Sequence, residues 1–154
     1  MTLSANRFIG EYAYSIDAKG RVNIPARFRQ ALSVENEGTF FTTRGFDRCI
    51  YVIPAIIWMD METELSNLSS VSGINRTFIR NQTRHASSST YDKQGRITLP
   101  LSLLEYAGIE KEATIIGMIN KIEIWNPDYL TENDQNNLNL DSNAYDDLAG
   151  KIIL

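Results

Sequence analysis

The chain of 154 residues is 43% hydrophobic with 10% aromatics, enough for one compact core or for two small units sharing one. No apolar run approaches the roughly 18 residues needed to cross a bilayer, and the longest, residues 113–119, contains Thr114 and Gly117. The net charge of −4 is unevenly spread: residues 1–100 carry twelve Lys and Arg against nine Asp and Glu, residues 101–154 three against ten, so the acidic total does not exclude a nucleic-acid partner for the first part.

Near the N-terminus, Asn6 and Arg7 stand where a signal peptide would be apolar, so a cytoplasmic protein is expected. Residues 12–16 alternate loosely, as in a half-buried strand. Asp17 then suits an Asx-type turn, Gly20 tolerates positive φ, and Arg21 leaves the turn directly. Val22-Asn23-Ile24 alternates again, and Pro25 suits the first position of a short helix whose Phe28 and Leu32 face the core. Arg27 and Arg29 on that helix are candidates for phosphate contacts or for solvated surface.

Residues 39–43 and 50–53 read as strands around an Arg44-Gly45-Phe46-Asp47 turn. Cys49, the single cysteine, cannot form an internal disulfide and is expected as a small buried residue. Ile57, Met61, Leu65 and Leu68 keep one helical face, residues 69–73 break it, and a second helix is expected over residues 74–84. Its Arg76, Arg80 and Arg84 form a basic stripe suited to acidic residues of a neighbouring subunit or to DNA. His85, the single histidine, and Ser87, Ser88 and Ser89 read as a polar loop. A second Asp92–Gly95 turn with Arg96 follows, then a helix with Leu103 and Ala107 inward and Gly108 at its C-terminal end. Strands are expected over residues 113–116 and 122–125 around Asn120-Lys121, and residues 131–147, rich in Asn and Asp, read as a weakly ordered tail with at most a marginal helix.

An internal repeat organises these elements. Asp17-Ala18-Lys19-Gly20-Arg21-Val22-Asn23-Ile24-Pro25 matches Asp92-Lys93-Gln94-Gly95-Arg96-Ile97-Thr98-Leu99-Pro100 at a spacing of 75 residues, and after a slip Ile50-Tyr51-Val52-Ile53-Pro54 resembles Ile122-Glu123-Ile124-Trp125-Asn126-Pro127. The fold expected is α+β: two tandem β-α-β-β-type repeats forming one pseudo-twofold unit with additional helices. Residues 1–70 would hold the first repeat, 71–88 a helical connector, 89–130 the second repeat and 131–154 the acidic, Asn-rich tail.

The paired turns point to DNA. A guanidinium presents planar paired donors that match guanine O6 and N7 or two phosphate oxygens, which suits Arg21 and Arg96. Lys19 and Lys93 are point charges for phosphate, and Gln94 offers an amide to adenine. Asp17, Gly20, Asp92 and Gly95 shape the turns. The competing reading is a structural hairpin whose arginine pairs with its own aspartate. No nucleophile–histidine constellation, metal cluster, phosphate loop or dinucleotide-binding glycine spacing appears, so neither an enzyme nor a cofactor is expected.

Two Asp-x-x-Gly-Arg turns in register, the stretch Thr43-Arg44-Gly45-Phe46-Asp47-Arg48-Cys49-Ile50-Tyr51-Val52, and Ile116-Gly117 leading to Ile122-Glu123-Ile124-Trp125 resemble the MraZ family of bacterial regulators over residues 10–127. The chain departs from that pattern at Asn81-Gln82-Thr83-Arg84-His85-Ala86-Ser87, where the family usually has an aromatic-rich stretch and Ser-Gly-Ala. The resemblance implies a swapped-hairpin β-barrel like that of AbrB-type regulators and ring-shaped homo-oligomers. It also implies binding to short direct repeats in double-stranded promoter DNA upstream of the division and cell-wall gene cluster. Arg21 and Arg96 are its implied DNA contacts, and the nucleoid its implied location. The alternative is an oligomeric protein-binding module, an antitoxin-like scaffold, whose tail binds a basic partner.

Overall fold

The computed structural model describes residues 5–152; the outermost residues of the N-terminal stretch and the last two of the acidic tail lie outside it. In chain order the elements are β1 (Phe8–Ser15), β2 (Arg21–Asn23), α1 (Ala26–Ala31), a 3-10 turn (Val34–Asn36), β3 (Thr39–Arg44), β4 (Ile50–Pro54) and α2 (Ala55–Ser66). They continue with α3 (Gly73–Thr83), β5 (Ser87–Thr90), β6 (Arg96–Thr98), α4 (Leu101–Ala107), β7 (Glu112–Ile119), β8 (Ile122–Trp125), α5 (Pro127–Leu140) and α6 (Ser142–Lys151).

The two repeats exchange strands. A six-stranded antiparallel sheet runs β1-β7-β8-β4-β3-β5, so the first strand of each repeat lies against the other repeat's hairpin, and β2 pairs with β6 in a separate ribbon. Matching β1 to β4 with β5 to β8 makes the six-strand order identical from either end, with Tyr51 facing Glu123 at its centre. The mixed α+β tandem architecture expected from the repeat is present. Neither half encloses a core alone: Phe8, Val22, Phe28 and Ile50 of the first repeat share one buried cluster with Ile97, Leu103, Ile115 and Ile122 of the second. Edge-on ring contacts join Phe8 to Phe28 and Tyr12 to Phe28, with centroids 5.5 and 5.4 Å apart.

Local signals explain the helix ends. Pro25 lies one residue before α1 rather than at its first position: its ring supplies a helical φ of −49°, while its ψ of 140° still belongs to the extended chain. Pro54 and Pro100 introduce α2 and α4 in the same way. Gly108 ends α4 at φ 65°, as its position suggests. Leu65 and the unpredicted Trp58 anchor α2, Trp58 stacking on Phe41 at 5.3 Å, whereas Leu68 falls beyond the helix and is exposed.

Two segments differ from the sequence reading. Ser87, Ser88 and Ser89 form strand β5 rather than a loop, because β3 supplies backbone partners and hydroxyls pair across the ladder, Thr39 with Thr90 at 2.8 Å and Thr42 with Ser87 at 3.3 Å. The acidic segment is helical: Asn126 accepts hydrogen bonds from the Asp128 and Tyr129 amides to start α5, and Asp141 accepts from the Ala144 amide to start α6. Asn126 and Asp141 thus act as caps, while Asn133, Asp134, Asn136, Asn137 and Asn139 lie inside α5 despite their low helix propensity.

At the sheet centre, Glu123 is 8% exposed and accepts a 2.8 Å hydrogen bond from Trp125 Nε1. Burial raises its carboxyl pKa above the usual 4.5, outweighing that bond. The folded chain therefore holds this proton more tightly than the unfolded one, and stability falls as pH rises from the ordinary glutamate value up through the raised one. Glu123→Gln keeps the acceptor for Trp125 without the charge. Its thermal midpoint is expected above wild type at pH 7, the difference vanishing below about pH 4 where both side chains are neutral.

Candidate nucleic-acid interface

Each Asp-x-x-Gly-Arg turn is tied by the same set of bonds. In the first, Asp17 Oδ1 accepts from the Lys19 amide at 2.9 Å and the Arg21 amide at 2.8 Å, while Oδ2 accepts from Arg21 Nε at 2.6 Å. In the second, Asp92 Oδ1 accepts from the amides of Gln94 and Arg96, both at 2.9 Å, and Oδ2 accepts from Arg96 Nε at 3.0 Å. Hydrogen bonds from the Arg21 and Arg96 amides, with the side-chain bonds beside them, hold both carboxyl pKa values below the usual range. The turns therefore stay intact until the pH falls below ordinary aspartate titration.

The ribbon brings the turns together. Arg21 pairs with Thr98, Val22 with Ile97 and Asn23 with Arg96, flanked by hydrogen bonds of 2.8 Å from Ile24 N to Gly95 O and from Leu99 N to Gly20 O. Strand alternation turns Val22 and Ile97 into the core and leaves Arg21, Asn23, Arg96 and Thr98 on the outer face. Arg96 Nη1 also lies 3.9 Å from Asp17 Oδ2, linking the two repeats. Each arginine thus pairs with its own aspartate through Nε, at 32% and 26% side-chain exposure. The Nη groups make no hydrogen bond among the described residues. Asp fixes the Nε edge of each guanidinium; the Nη edge of Arg21 has no partner among the described residues, while that of Arg96 also faces Asp17.

The remaining sequence-predicted residues divide. Lys19, Lys93 and Gln94 are exposed at the turns, and Arg27 is exposed on α1. Arg29 is not a free cation of that kind: its Nε donates to Ile24 O at 3.1 Å and its guanidinium covers Gly95. Leu104 holds the equivalent place over Gly20. Beside the first turn, a cleft of about 530 Å³ is lined by Leu101 and Leu104 and also by Glu105 and Glu110, so positive charge is skewed toward the second turn. Asn23 and Thr98 were missed from sequence; the alternation of strands this short, with an apolar residue between two polar ones, was the available signal.

Other polar residues have structural partners. Arg76 donates to Ser70 O at 2.8 Å and Val71 O at 2.9 Å, bracing the turn before α3. Ser89 Oγ accepts from the Thr98 amide at 3.1 Å. Burial, with Arg44 and Arg84 nearby, lowers the His85 pKa. Cys49 is fully buried, and burial pushes its thiol far up.

Comparison with known proteins gives a consistent picture. A family model described as "MraZ protein, putative antitoxin-like" matches residues 7–81 and again 83–146. A protein of Halothermothrix orenii called transcriptional regulator MraZ is 44% identical over 118 residues, covering 77% of this chain and 80% of its own. Relatives of the same name from Pelotomaculum thermopropionicum and Syntrophomonas wolfei are 40% and 36% identical over 146 residues. They cover 95% of this chain and 95% and 96% of their own.

Gly20 and Gly95 adopt φ of 77° and 78°, so alanine strains either turn by about 1–3 kcal/mol. A Cβ at Gly20 would stand 2.9 Å from the Leu99 carbonyl oxygen, which the ribbon ladder fixes. At Gly95 it would meet only the movable Arg29 side chain, at 2.6 Å. Gly20→Ala is therefore expected to destabilise more than Gly95→Ala in paired urea titrations.

Proposed function

Since the chain belongs to the MraZ family, we propose that it is a sequence-specific DNA-binding transcriptional regulator, acting by binding and not by catalysis. It takes short direct repeats in promoter DNA, that of the division and cell-wall gene cluster with its own gene. It works in the cytoplasm on the nucleoid, as a ring-shaped homo-oligomer. The observation that carries this reading is the outer face of the β2–β6 ribbon. A major groove about 12 Å wide admits a two-stranded ribbon. Here the ribbon carries Arg21 and Arg96 with Nη groups that make no hydrogen bond among the described residues, Thr98 and Asn23 opposite them, and Lys19 and Lys93 at the turns.

In this reading the Nη groups of Arg21 and Arg96 donate to guanine O6 and N7. Asn23 and Gln94 offer amides suited to adenine, and Lys19, Lys93 and Arg27 neutralise phosphates. Arg29 acts through the turn, as a brace on Gly95. Several heads in one assembly raise avidity for repeated sites without new contacts. The words "antitoxin-like" in the family description favour one second reading, a protein-binding scaffold in which the Asp–Arg pairs only hold the turns.

The two readings separate in a salt-resolved titration of duplex DNA from upstream of the gene, with scrambled duplex as control. Arg21→Ala/Arg96→Ala is expected to abolish the preference for the genomic duplex, each arginine accounting for about 1–3 kcal/mol, with the fold unchanged by circular dichroism. Lys19→Ala/Lys93→Ala should weaken binding to both duplexes and flatten the salt dependence. Selective binding that survives loss of both arginines would overturn the ribbon as reader. Equal wild-type affinity for both duplexes would favour the scaffold.

Asn23→Ala offers a finer check. In selection from a randomised duplex pool, it is expected to relax the preference at one base position while leaving affinity for scrambled DNA unchanged. An unaltered selected motif would remove Asn23 from the reading set.

A further inference from the structure

The two turns can be compared within one chain. At the second, the guanidinium carbon of Arg29 lies 2.6 Å from where a Gly95 Cβ would stand, and its Nε donates to Ile24 O at 3.1 Å. At the spacing of 75 residues, Gly20, Leu99 and Leu104 take the places of Gly95, Ile24 and Arg29. Leu104 approaches only to 3.5 Å of the equivalent point at Gly20, and it has no donor to offer. Leu99 O stands 2.9 Å from that point and accepts no hydrogen bond among the described residues, although Leu99 is only 2% exposed. An acceptor withdrawn from water and left without a donor is costly, and the matching carbonyl of the other repeat is served by an arginine.

Beside Leu104 lies the cleft of about 530 Å³ at the first turn, which Leu99 also lines. Leu101 and Leu104 give it an apolar wall. Of its charged lining, Asp17 is committed to Arg21, which leaves Glu105 and Glu110 against Lys19, one net negative charge. Glu105 stands where the first repeat has Gln30, so the half without the arginine carries a carboxylate in place of an amide. An apolar wall, an unserved carbonyl and two exposed carboxylates match the parts of an alkylguanidinium: its aliphatic stem, its planar donors and its charge.

We infer that the cleft beside the first turn is a binding site for a small alkylguanidinium cation of the kind arginine carries. One donor serves Leu99 O, the others turn to the Glu105 and Glu110 carboxylates, and the stem lies along Leu101 and Leu104. The bound cation does from outside what Arg29 does from within at the second turn. It binds the folded chain and so stabilises it. The site does not depend on the reading of DNA by the ribbon.

The test titrates the full chain, with labelled leucine methyl groups, against butylguanidinium and against butylurea, a neutral analogue of the same shape. Saturable shifts of the Leu101 and Leu104 methyl resonances are expected with butylguanidinium, and binding at least about tenfold weaker with butylurea. Equal responses to both probes, or shifts spread evenly over all leucines, would overturn the site. Glu105→Gln/Glu110→Gln should weaken butylguanidinium binding about tenfold with an unchanged circular dichroism spectrum; undiminished binding would refute the role of the two carboxylates. Leu104→Arg places an arginine where the first repeat has one. It is expected to abolish the response at Leu101 and to raise the thermal midpoint above wild type, whereas a folded variant that still binds the probe would refute the equivalence of the two turns. Sedimentation velocity with butylguanidinium present separates the two sources of a guanidinium. An unchanged coefficient is expected for a free cation, and a smaller species would reassign the cleft to an arginine of a neighbouring copy.

Discussion

Val22 and Ile97 face each other where three-residue strands from the two repeats cross, and the other elements are arranged around that pairing. A strand of three residues has no stability of its own. It persists because its inner side chain is buried and its ends are held by bonds to Gly20 and Gly95 of the opposite turn. The same crossing sends β1 to the second repeat and β5 to the first, so each half completes the other's sheet. Folding and the building of the ribbon's outer face are therefore one event. The turns come together only when the halves have exchanged strands.

Around this shared axis the halves have diverged where their neighbours differ. Gly95 lies under a guanidinium and Gly20 under Leu104, so one turn is braced by a polar roof and the other by an apolar one. Asn23 and Thr98 occupy matching places on the outer face, as do Lys19 and Gln94 at the turns. The ribbon is symmetric in backbone and asymmetric in side chains. Such a surface has a direction, which suits the proposed sites repeated in one orientation better than a palindrome.

The tandem organisation was legible because turns are local: Asp accepts amides two and four residues on, and Gly supplies positive φ. The β2, α1, β3 and β4 segments and their second copies followed from alternation and helical spacing for the same reason. Strand β5 was not legible, since four Ser and Thr residues become a strand only when β3 lies beside them. The α5–α6 arm was obscured by an Asn- and Asp-rich composition that favours loops, although two of those residues, Asn126 and Asp141, cap its helices and the others lie within them. At the candidate site, the arginines and their aspartates were readable from spacing. The packing of the Arg29 guanidinium over Gly95 is a contact between repeats that no local pattern records. The partnership of Asn23 with Arg96 depends on strand register and was equally hidden.

The aspartate hold on each Nε has a mechanical consequence. Arginine carries about 2 kcal/mol of rotamer freedom, and here much of it is surrendered on folding, before any partner arrives. A ribbon anchored at both ends and bearing pinned guanidiniums cannot adjust its spacing to an imperfect helix. In the proposed complex the compliance must come from the duplex, through roll, twist and groove width at the base steps beneath and beside the ribbon. Stiff and pliant sequences would then differ in affinity even where the bases facing Arg21 and Arg96 are identical, and part of the selectivity would reside in steps the protein never touches.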